Sequence, residues 1–92
     1  MLFVISCNDK PNHLHVRLAN REAHLEYAGR FADQMIMAGP YLDDAGDMTG
    51  SMLIMDFPDK AAALAFTEKD PYNKAGLFES VSVRAWKKVI PA

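Results

Sequence analysis

Short apolar runs alternate with polar turns along the chain, and the spacing of the apolar residues differs from one run to the next. Residues 2–6, 35–38 and 51–57 are short runs rich in β-forming side chains, and residues 78–90 alternate apolar and polar side chains. Patterns of both kinds are typical of β-strands. We therefore predict four strands. In two of the segments between them, the apolar residues recur at a longer spacing than in a strand.

The segment between the first two strands is predicted to be a helix over residues 14–34. Its apolar side chains recur at the 3.6-residue spacing that places them on one face of a helix. The residues expected on that buried face are Leu14, Leu18, Leu25, Ala28 and Ala32. By the same spacing Arg21 falls near the middle of this face, which is an unusual place for a cation.

A second helix is predicted over residues 59–69. Asp59 is the expected N-cap, because its carboxylate can accept from the free N–H groups of the first turn. Asp70-Pro71 ends this helix, because a residue before proline is pushed out of the α region. Its buried side is expected to carry Ala62, Ala65 and Phe66. Residues 72–76 are expected to add one further helical turn.

The order of these elements is β-α-β-β-α-β, which predicts an α+β fold of the ferredoxin-like βαββαβ type. Two right-handed βαβ crossovers joined by a hairpin give a four-stranded antiparallel sheet with both helices on one face. Gly39-Pro40 is expected to stop the second strand, and residues 41–49 to form the hairpin loop. No internal linker or repeat divides the 92 residues, so we expect a single domain over residues 1–92.

The first three strands are apolar on both sides, although an antiparallel sheet with one wet face would alternate. One face covers the helices, and the chain has no third layer for the other. A second copy stacked sheet on sheet would cover it, which predicts a homodimer built as a dimeric α+β barrel. The alternative is a monomer whose open sheet exposes scattered apolar side chains.

Charge and cysteine content narrow the classes of partner. The net charge is −2 and the cations are not clustered, so we expect no nucleic-acid partner. No apolar stretch approaches the roughly 20 residues that span a bilayer, and no charged leader precedes an apolar core. We therefore expect no membrane partner and no signal peptide. The single cysteine, Cys7, cannot form an internal disulfide, which fits a cytoplasmic protein.

His24 lies on the flank of the apolar face of the first helix, where a half-buried imidazole suits proton transfer. The alternative is an ordinary boundary histidine that is hydrated by water. Asp70-Pro71-Tyr72 is first of all a helix stop followed by an aromatic residue. A carboxylate at that helix end could also orient His24, as in a His–Asp acid/base unit.

Arg21, if it is buried, needs a carboxylate, and Asp70 or another acid would supply a structural salt bridge. The alternative is that Arg21 binds an anionic substrate. Gly39, Pro40 and Ser51 flank the hairpin loop, and they either serve the turn alone or line a ligand site. No cysteine and histidine spacing matches a zinc site, and no phosphate loop or dinucleotide fingerprint occurs. We therefore expect no metal and no cofactor.

Five short motifs occur in order along the chain, and together they are similar to those of a known family. The motifs are Arg21-Glu22-Ala23-His24-Leu25, Ala38-Gly39-Pro40, Thr49-Gly50-Ser51, Asp70-Pro71-Tyr72 with Ala75-Gly76, and Trp86-Lys87-Lys88-Val89. As an ordered set they resemble the YCII-related (YciI-like) family along nearly the whole chain. The resemblance implies a ferredoxin-like dimer with a pocket near an acid/base pair, carried here onto His24 and Asp70. One branch of that family is similar to a dehydrochlorinase that removes HCl from a chlorinated hydroxyquinol.

The sequence supports two hypotheses about function. The first is a cofactor-independent enzyme of the lyase or isomerase type that moves a proton on an unknown small organic substrate through His24 and Asp70. The residues expected to contact that substrate are Arg21, Gly39, Pro40, Ser51 and Tyr72. The second is a non-catalytic module for small-ligand binding or dimerisation. A His24 ring nitrogen within hydrogen-bond reach of the Asp70 carboxylate favours the enzyme.

Overall fold

The chain forms a four-stranded antiparallel sheet with three helices packed on one of its faces. The computed structural model describes residues 1–92. The strands are β1 (Leu2–Asp9), β2 (Met35–Leu42), β3 (Met48–Asp56) and β4 (Phe78–Trp86), and the helices are α1 (Leu14–Gly29), α2 (Lys60–Lys69) and α3 (Pro71–Lys74). None of these helices is long and apolar enough to cross a lipid bilayer.

The strands lie in the order β2-β3-β1-β4, and every neighbouring pair is antiparallel. Each βαβ crossover skips one strand, so β3 separates β1 from β2, and β1 separates β3 from β4. This is the ferredoxin-like arrangement that the element order predicts, and the predicted fold class is confirmed.

The hydrophobic core lies between the sheet and the helices. Alternate residues of the strands point into it, including Phe3, Ile5 and Leu53, while Phe66 of α2 and Tyr72 of α3 enter from the helical side. Each large side chain that is buried in this way contributes about 1.5–3 kcal/mol, because it leaves water. The core therefore holds the junction between α2 and α3 against the sheet.

β2 continues through Gly39-Pro40, so the prediction that this pair stops the strand was wrong. The reason is that β2 is an edge strand, where the missing N–H of a proline can face outward without the loss of a ladder hydrogen bond. The hairpin loop accordingly shrinks from the predicted residues 41–49 to residues 43–47, and β3 begins at Met48.

β4 ends at Trp86, although the alternating pattern predicts a strand to residue 90. Trp86 pairs with Leu2, the first residue of β1, so the sheet offers no neighbour to a longer β4. Sequence alternation alone does not reveal where the partner strand begins.

α1 ends at Gly29 rather than at the predicted residue 34. Glycine inside a helix costs about 1 kcal/mol relative to alanine. Beyond Gly29 the chain forms tight turns, in which the Phe31 N–H donates to the carbonyl of Ala28, three residues earlier. These turns redirect the chain into β2.

The buried face of α1 is rotated away from the predicted one. Leu18 and Leu25, expected in the core, are half exposed, whereas Tyr27 packs on the core. The buried residue of α1 is Arg17. The face that meets the rest of the protein thus carries Arg17 and His24, which are seven residues, or about two helical turns, apart.

α2 begins as predicted, because the carboxylate of its N-cap Asp59 accepts from the N–H of Ala62. Phe66 is buried as expected. Ala65, which was expected to be buried, is exposed, and Ala63 is buried instead. The further helical turn predicted after this helix is α3.

The sheet face away from the helices, called here the open face, carries Leu2, Val4 and Ser6 of β1. Tyr41 of β2 crosses this face, and its hydroxyl lies 2.9 Å from the Ser6 hydroxyl. A Cβ atom on Gly50, beneath the Tyr41 ring, would lie 2.3 Å from the carbonyl oxygen of Cys7. Gly50 is therefore required by the close approach of two strands.

Candidate active site

A cavity of about 200 Å³ opens between α1, α3 and the β2–β3 hairpin. Six of the seven residues that the sequence predicts for the site line it, namely Arg21, His24, Gly39, Pro40, Ser51 and Tyr72. The seventh, Asp70, is hydrogen-bonded to His24. The topology thus brings these residues together, while their functional roles stay a prediction.

His24 and Asp70 are in direct contact. His24 Nδ1 lies 2.9 Å from Asp70 Oδ1, and the two side chains expose only 12% and 4% of their surface. This distance is within hydrogen-bond reach. The geometry therefore meets the condition that favours an acid/base site over a hydrated boundary histidine.

The junction between α2 and α3 holds Asp70 in place. Asp70 ends α2 and caps α3, and its Oδ1 accepts a second hydrogen bond, 2.9 Å long, from the Tyr72 N–H. Pro71 occupies the first turn of α3, where proline is well tolerated. The sequence Asp70-Pro71-Tyr72 ends α2 and begins α3, and this places the Asp70 carboxylate next to His24.

The hydrogen bonds of Asp70 also indicate which nitrogen of His24 carries the proton. A carboxylate that already accepts from the Tyr72 N–H is an acceptor for the imidazole too, so we assign the hydrogen to His24 Nδ1. Nε2 then holds a lone pair in the neutral ring. The nitrogen left free of Asp70 is thus the one that can take up a proton.

Tyr72 is a buried ring between two side chains of α1. It stacks on the imidazole of His24 with 4.0 Å between centroids and 12° between planes. The Arg17 guanidinium carbon lies 4.6 Å from the same ring centroid. Because Arg17 and His24 are about 10.5 Å apart along the helix axis, the ring lies between them. Burial raises the pKa of Tyr72 against the opposing effects of Arg17 and Arg21, so the phenol stays protonated at neutral pH.

Arg17, not Arg21, is the buried arginine of α1, so the expectation of a buried Arg21 was wrong. Arg21 is exposed at the cavity, and Asp70, its proposed salt-bridge partner, binds His24 instead. A residue seven positions before His24 shares its helix face. That spacing is the signal from which Arg17 could have been identified.

Arg17 makes a bidentate ion pair with Asp9 at the end of β1. Nε and Nη2 donate to the two carboxylate oxygens at 2.7 and 2.9 Å, and Nη2 also donates to Ser51 Oγ at 2.9 Å. Burial disfavours the charged form, but the hydrogen bonds and charge of Asp9 outweigh it and raise the pKa of Arg17. The site therefore contains a permanent cation in a fixed orientation.

Other reactive side chains contribute little to this site. No group of three or more histidine, cysteine, aspartate or glutamate side chains comes together to hold a metal ion. Cys7 is buried, and that burial raises the pKa of its thiol to about 12. A thiol with such a pKa is not a nucleophile at neutral pH.

Comparison with known proteins identifies relatives along nearly the full length of the chain. The YCII-related domain family matches residues 1–87. Protein YciI of Escherichia coli O6:H1 (strain CFT073) is 40% identical over an alignment 97 residues long, gaps included. The alignment covers 97% of this chain and 99% of that protein.

Solved structures show the same relationship. The 5-chloro-2-hydroxyhydroquinone dehydrochlorinase TftG from Burkholderia phenoliruptrix AC1100, in complex with 2,5-dihydroxybenzoquinone, matches with a TM-score of 0.88. It is 42% identical, and the match covers 95% of this chain and 94% of that one. An antibiotic biosynthesis monooxygenase, 18% identical with a TM-score of 0.59 over 97% of this chain and 99% of its own, shares the fold alone. Since the family match and a 40% identical relative both span nearly the whole chain, the chain belongs to the YCII-related domain family.

Proposed function

We propose that the chain is a small-molecule enzyme of the lyase type, which works by proton transfer and needs no cofactor. The observation that carries the proposal is the 2.9 Å contact between His24 Nδ1 and Asp70 Oδ1 at the wall of the cavity. A histidine oriented by a carboxylate is a common acid/base unit. A pocket that only holds a ligand has no need of such a pair.

His24 is the group that moves the proton. Its Nε2 takes a proton from a substrate hydroxyl group, and Asp70 stabilises the imidazolium that forms. The imidazolium then returns a proton to a substrate carbon, so the pair ends the cycle in its starting state. The stack on Tyr72 restricts rotation of the ring and keeps Nδ1 on Asp70.

The likeness to TftG supports a hydroxylated ring compound as the substrate, since that protein is a dehydrochlorinase of 5-chloro-2-hydroxyhydroquinone. In such a reaction two hydroxyl protons leave oxygen and one proton adds to the carbon that bears chlorine. Chloride departs with the electron pair of the C–Cl bond. The sum is the loss of HCl, and no external oxidant or reductant is needed. The proton transfers of this reaction are within the capacity of His24 and Asp70.

The proposal is tested by measuring proton transfer with and without the histidine. The wild type is expected to speed deuterium exchange at the ring C–H of 2,5-dihydroxybenzoquinone in D₂O, and to release chloride from 5-chloro-2-hydroxyhydroquinone. NMR and a chloride electrode measure the two rates. His24→Gln should reduce both rates to background, because an amide does not take up a proton. Arg30→Lys, an exposed change at the residue that follows the end of α1, should preserve them.

The outcomes separate the two functions. Equal rates in the wild type and His24→Gln would remove the histidine as the base. A wild type that binds 2,5-dihydroxybenzoquinone but transforms neither compound would support the alternative, a non-catalytic ligand-binding module.

We also propose that a second copy of the chain covers the open face, which gives a homodimer built as a dimeric α+β barrel. One row of paired residues crosses that face from β4 to β2, namely Arg84, Val4, Ile54 and Met37. Three of these four residues are apolar, and the helices lie on the opposite face. Met37 is 55% exposed and Val4 is partly exposed, whereas Ile54 is already buried within one chain. An exposed apolar patch on a sheet is unusual in a monomer, and a sheet-on-sheet contact would bury it.

A further inference from the structure

A second cavity, of about 270 Å³, lies beside the active-site cavity at the N-terminal end of α1. Leu14, the first residue of α1, lines this second cavity, whereas Arg17 and His24 line the active-site cavity. Because a helix rises about 1.5 Å per residue, the two cavities follow one another along α1. The side chains that separate them therefore limit how far a ligand beside His24 can extend in this direction.

Two features separate the cavities, and they differ in stiffness. The first is the ion pair between Arg17, which lines the active-site cavity, and Asp9, which lines the second cavity. These side chains expose only 3% and 5% of their surface, and moving them would break two charge-assisted hydrogen bonds in a buried place. The second feature is Met48, the one residue that lines both cavities.

The hairpin loop fixes the backbone of Met48. Asp43 Oδ1 accepts from the N–H groups of Ala45 and Asp47, at 3.0 Å in each case. The Asp43 N–H also donates to the Asp47 carbonyl at 2.9 Å. Met48 follows this closed loop directly, as the first residue of β3. Its partly buried side chain, by contrast, is an unbranched thioether with three rotatable bonds, so it can adapt where the ion pair cannot.

We infer that Met48 determines the size of the substrate that the active site accepts. Its side chain closes the end of the active-site cavity that faces the second cavity. The space that remains, about 200 Å³, is smaller than the ~300–1,000 Å³ of drug-sized sites, so it fits a single ring. A shorter side chain would join the two cavities and admit a compound with two fused rings. The inference rests on the proposed function for the use of this cavity as the substrate site.

The other apolar side chains of the cavity wall are weaker candidates for this role. Leu53 is 2% exposed and belongs to the hydrophobic core, so shortening it would disturb the fold. Leu25 is 49% exposed, so shortening it would open the cavity to solvent rather than to a second enclosed space. Met48 is the position at which a change of length alters the shape of the site without removing part of the core.

The test measures binding of a one-ring and a two-ring compound by titration calorimetry. The probes are 2,5-dihydroxybenzoquinone and 2-hydroxy-1,4-naphthoquinone, and the wild type should bind the first at least about tenfold more tightly. Met48→Ala should strengthen binding of the naphthoquinone by about tenfold or more and change binding of the benzoquinone by less than about threefold. Leu42→Ala is the matched control, because Leu42 pairs with Met48 across the hairpin but lines neither cavity.

Three results overturn the inference. The first is unchanged binding of the naphthoquinone by Met48→Ala. The second is an equal gain in Leu42→Ala, which would mean that the whole hairpin has loosened. The third is a wild type that binds the two compounds equally well, or that binds neither at millimolar concentration.

A second variant guards against a failure to fold. Should Met48→Ala be unfolded by circular dichroism, Met48→Val carries the test, because valine is shorter than methionine and favours a strand. The proposed function fails separately from this inference. A wild type that binds 2,5-dihydroxybenzoquinone but shows no turnover refutes catalysis, while a gain of naphthoquinone binding in the Met48 variant still supports the size limit.

Discussion

The imidazole of His24 and the phenol ring of Tyr72 lie in parallel contact, 4.0 Å apart between centroids. Tyr72 also donates its backbone N–H to the Asp70 carboxylate that binds His24. The turn Asp70-Pro71-Tyr72 therefore holds the histidine at two places, by its edge through the carboxylate and by its face through the ring. We expect changes in this turn to alter the histidine while α1 itself stays unchanged.

Asp70→Asn tests the carboxylate with little change of shape. Asparagine is a good N-cap, but it lacks the charge that stabilises an imidazolium, so turnover should fall by about 10²–10⁴-fold. Asp59→Asn makes the same change at the N-cap of α2 and should leave turnover unchanged. Chloride release measures both variants. Equal activity of the two would show that Asp70 only ends a helix.

Phe66 lies in an aromatic cluster, with its ring centroid 4.8 Å from that of Phe31 and 5.2 Å from that of Tyr27. Phe66→Ala should lower the free energy of unfolding by about 3–5 kcal/mol, because a cavity replaces a buried ring. Leu64→Ala, on the exposed side of α2, should cost less than about 1 kcal/mol. Urea unfolding at matched protein concentration compares them. Similar losses in the two variants would mean that Phe66 does not anchor α2.

Gly50→Ala should disrupt the pairing of β1 with β3. The added methyl group would meet the Cys7 carbonyl oxygen at 2.3 Å, and backbone atoms cannot move aside as a flexible side chain can. Overpacking of this kind costs about 1–3 kcal/mol. Gly39→Ala is the control, because a Cβ atom there meets nothing within 4 Å. The urea concentration at the midpoint of unfolding should be highest for the wild type, slightly lower for Gly39→Ala, and much lower for Gly50→Ala.

The buried thiol of Cys7 predicts a loss of stability at alkaline pH. Burial raises its pKa from 9.0 to about 12, so the folded chain holds this proton more tightly than the unfolded chain. The resulting stabilisation is fully present below pH 9 and is lost as the pH rises from 9 towards 12. Cys7→Ala should remove this part of the pH dependence. In the native protein, the Cys7 thiol should react slowly at neutral pH with a disulfide reagent that labels thiols, and it should react quickly in urea. Fast labelling of the native protein would contradict the burial of Cys7.

The proposed homodimer predicts different effects for two equally exposed apolar residues. Met37 on the open face and Leu18 on α1 are each 55% exposed. Met37→Glu should shift the protein to monomers, because it places a charge in an interface of at least about 1,000 Å². Leu18→Glu should leave the dimer intact. Light scattering at micromolar concentration measures both variants, and a monomeric wild type would refute the second copy.

The order of elements could be predicted because each segment carries a local signal, such as the alternation in β4 or the Asp59 cap of α2. The buried face of α1 could not be predicted in that way. Leu18 and Leu25 are seven residues apart, so they share one face of the helix. By spacing alone, that face cannot be distinguished from the face that is buried in the structure. Burial of Arg17 depends on Asp9, which reaches it only after β1 and α1 have packed together.

The contact between His24 and Asp70 was anticipated from the motifs that the two residues share with a family. The separation of 46 residues between them does not by itself predict a contact. The role of Ser51 as an acceptor for Arg17 had no local signal, because it joins β3 to α1 across the cavity. Local patterns thus predicted the scaffold, whereas the partners within the site depend on how distant segments pack.

The Tyr72 amide shares one acceptor atom with the imidazole, since both hydrogen-bond to Asp70 Oδ1. When the imidazole gains or releases a proton, the electron density on that oxygen changes, and so does the hydrogen bond of the amide. The backbone therefore contains an intrinsic spectroscopic reporter of the proton. The ¹⁵N and ¹H chemical shifts of Tyr72 follow the protonation of His24 without any label attached to the site.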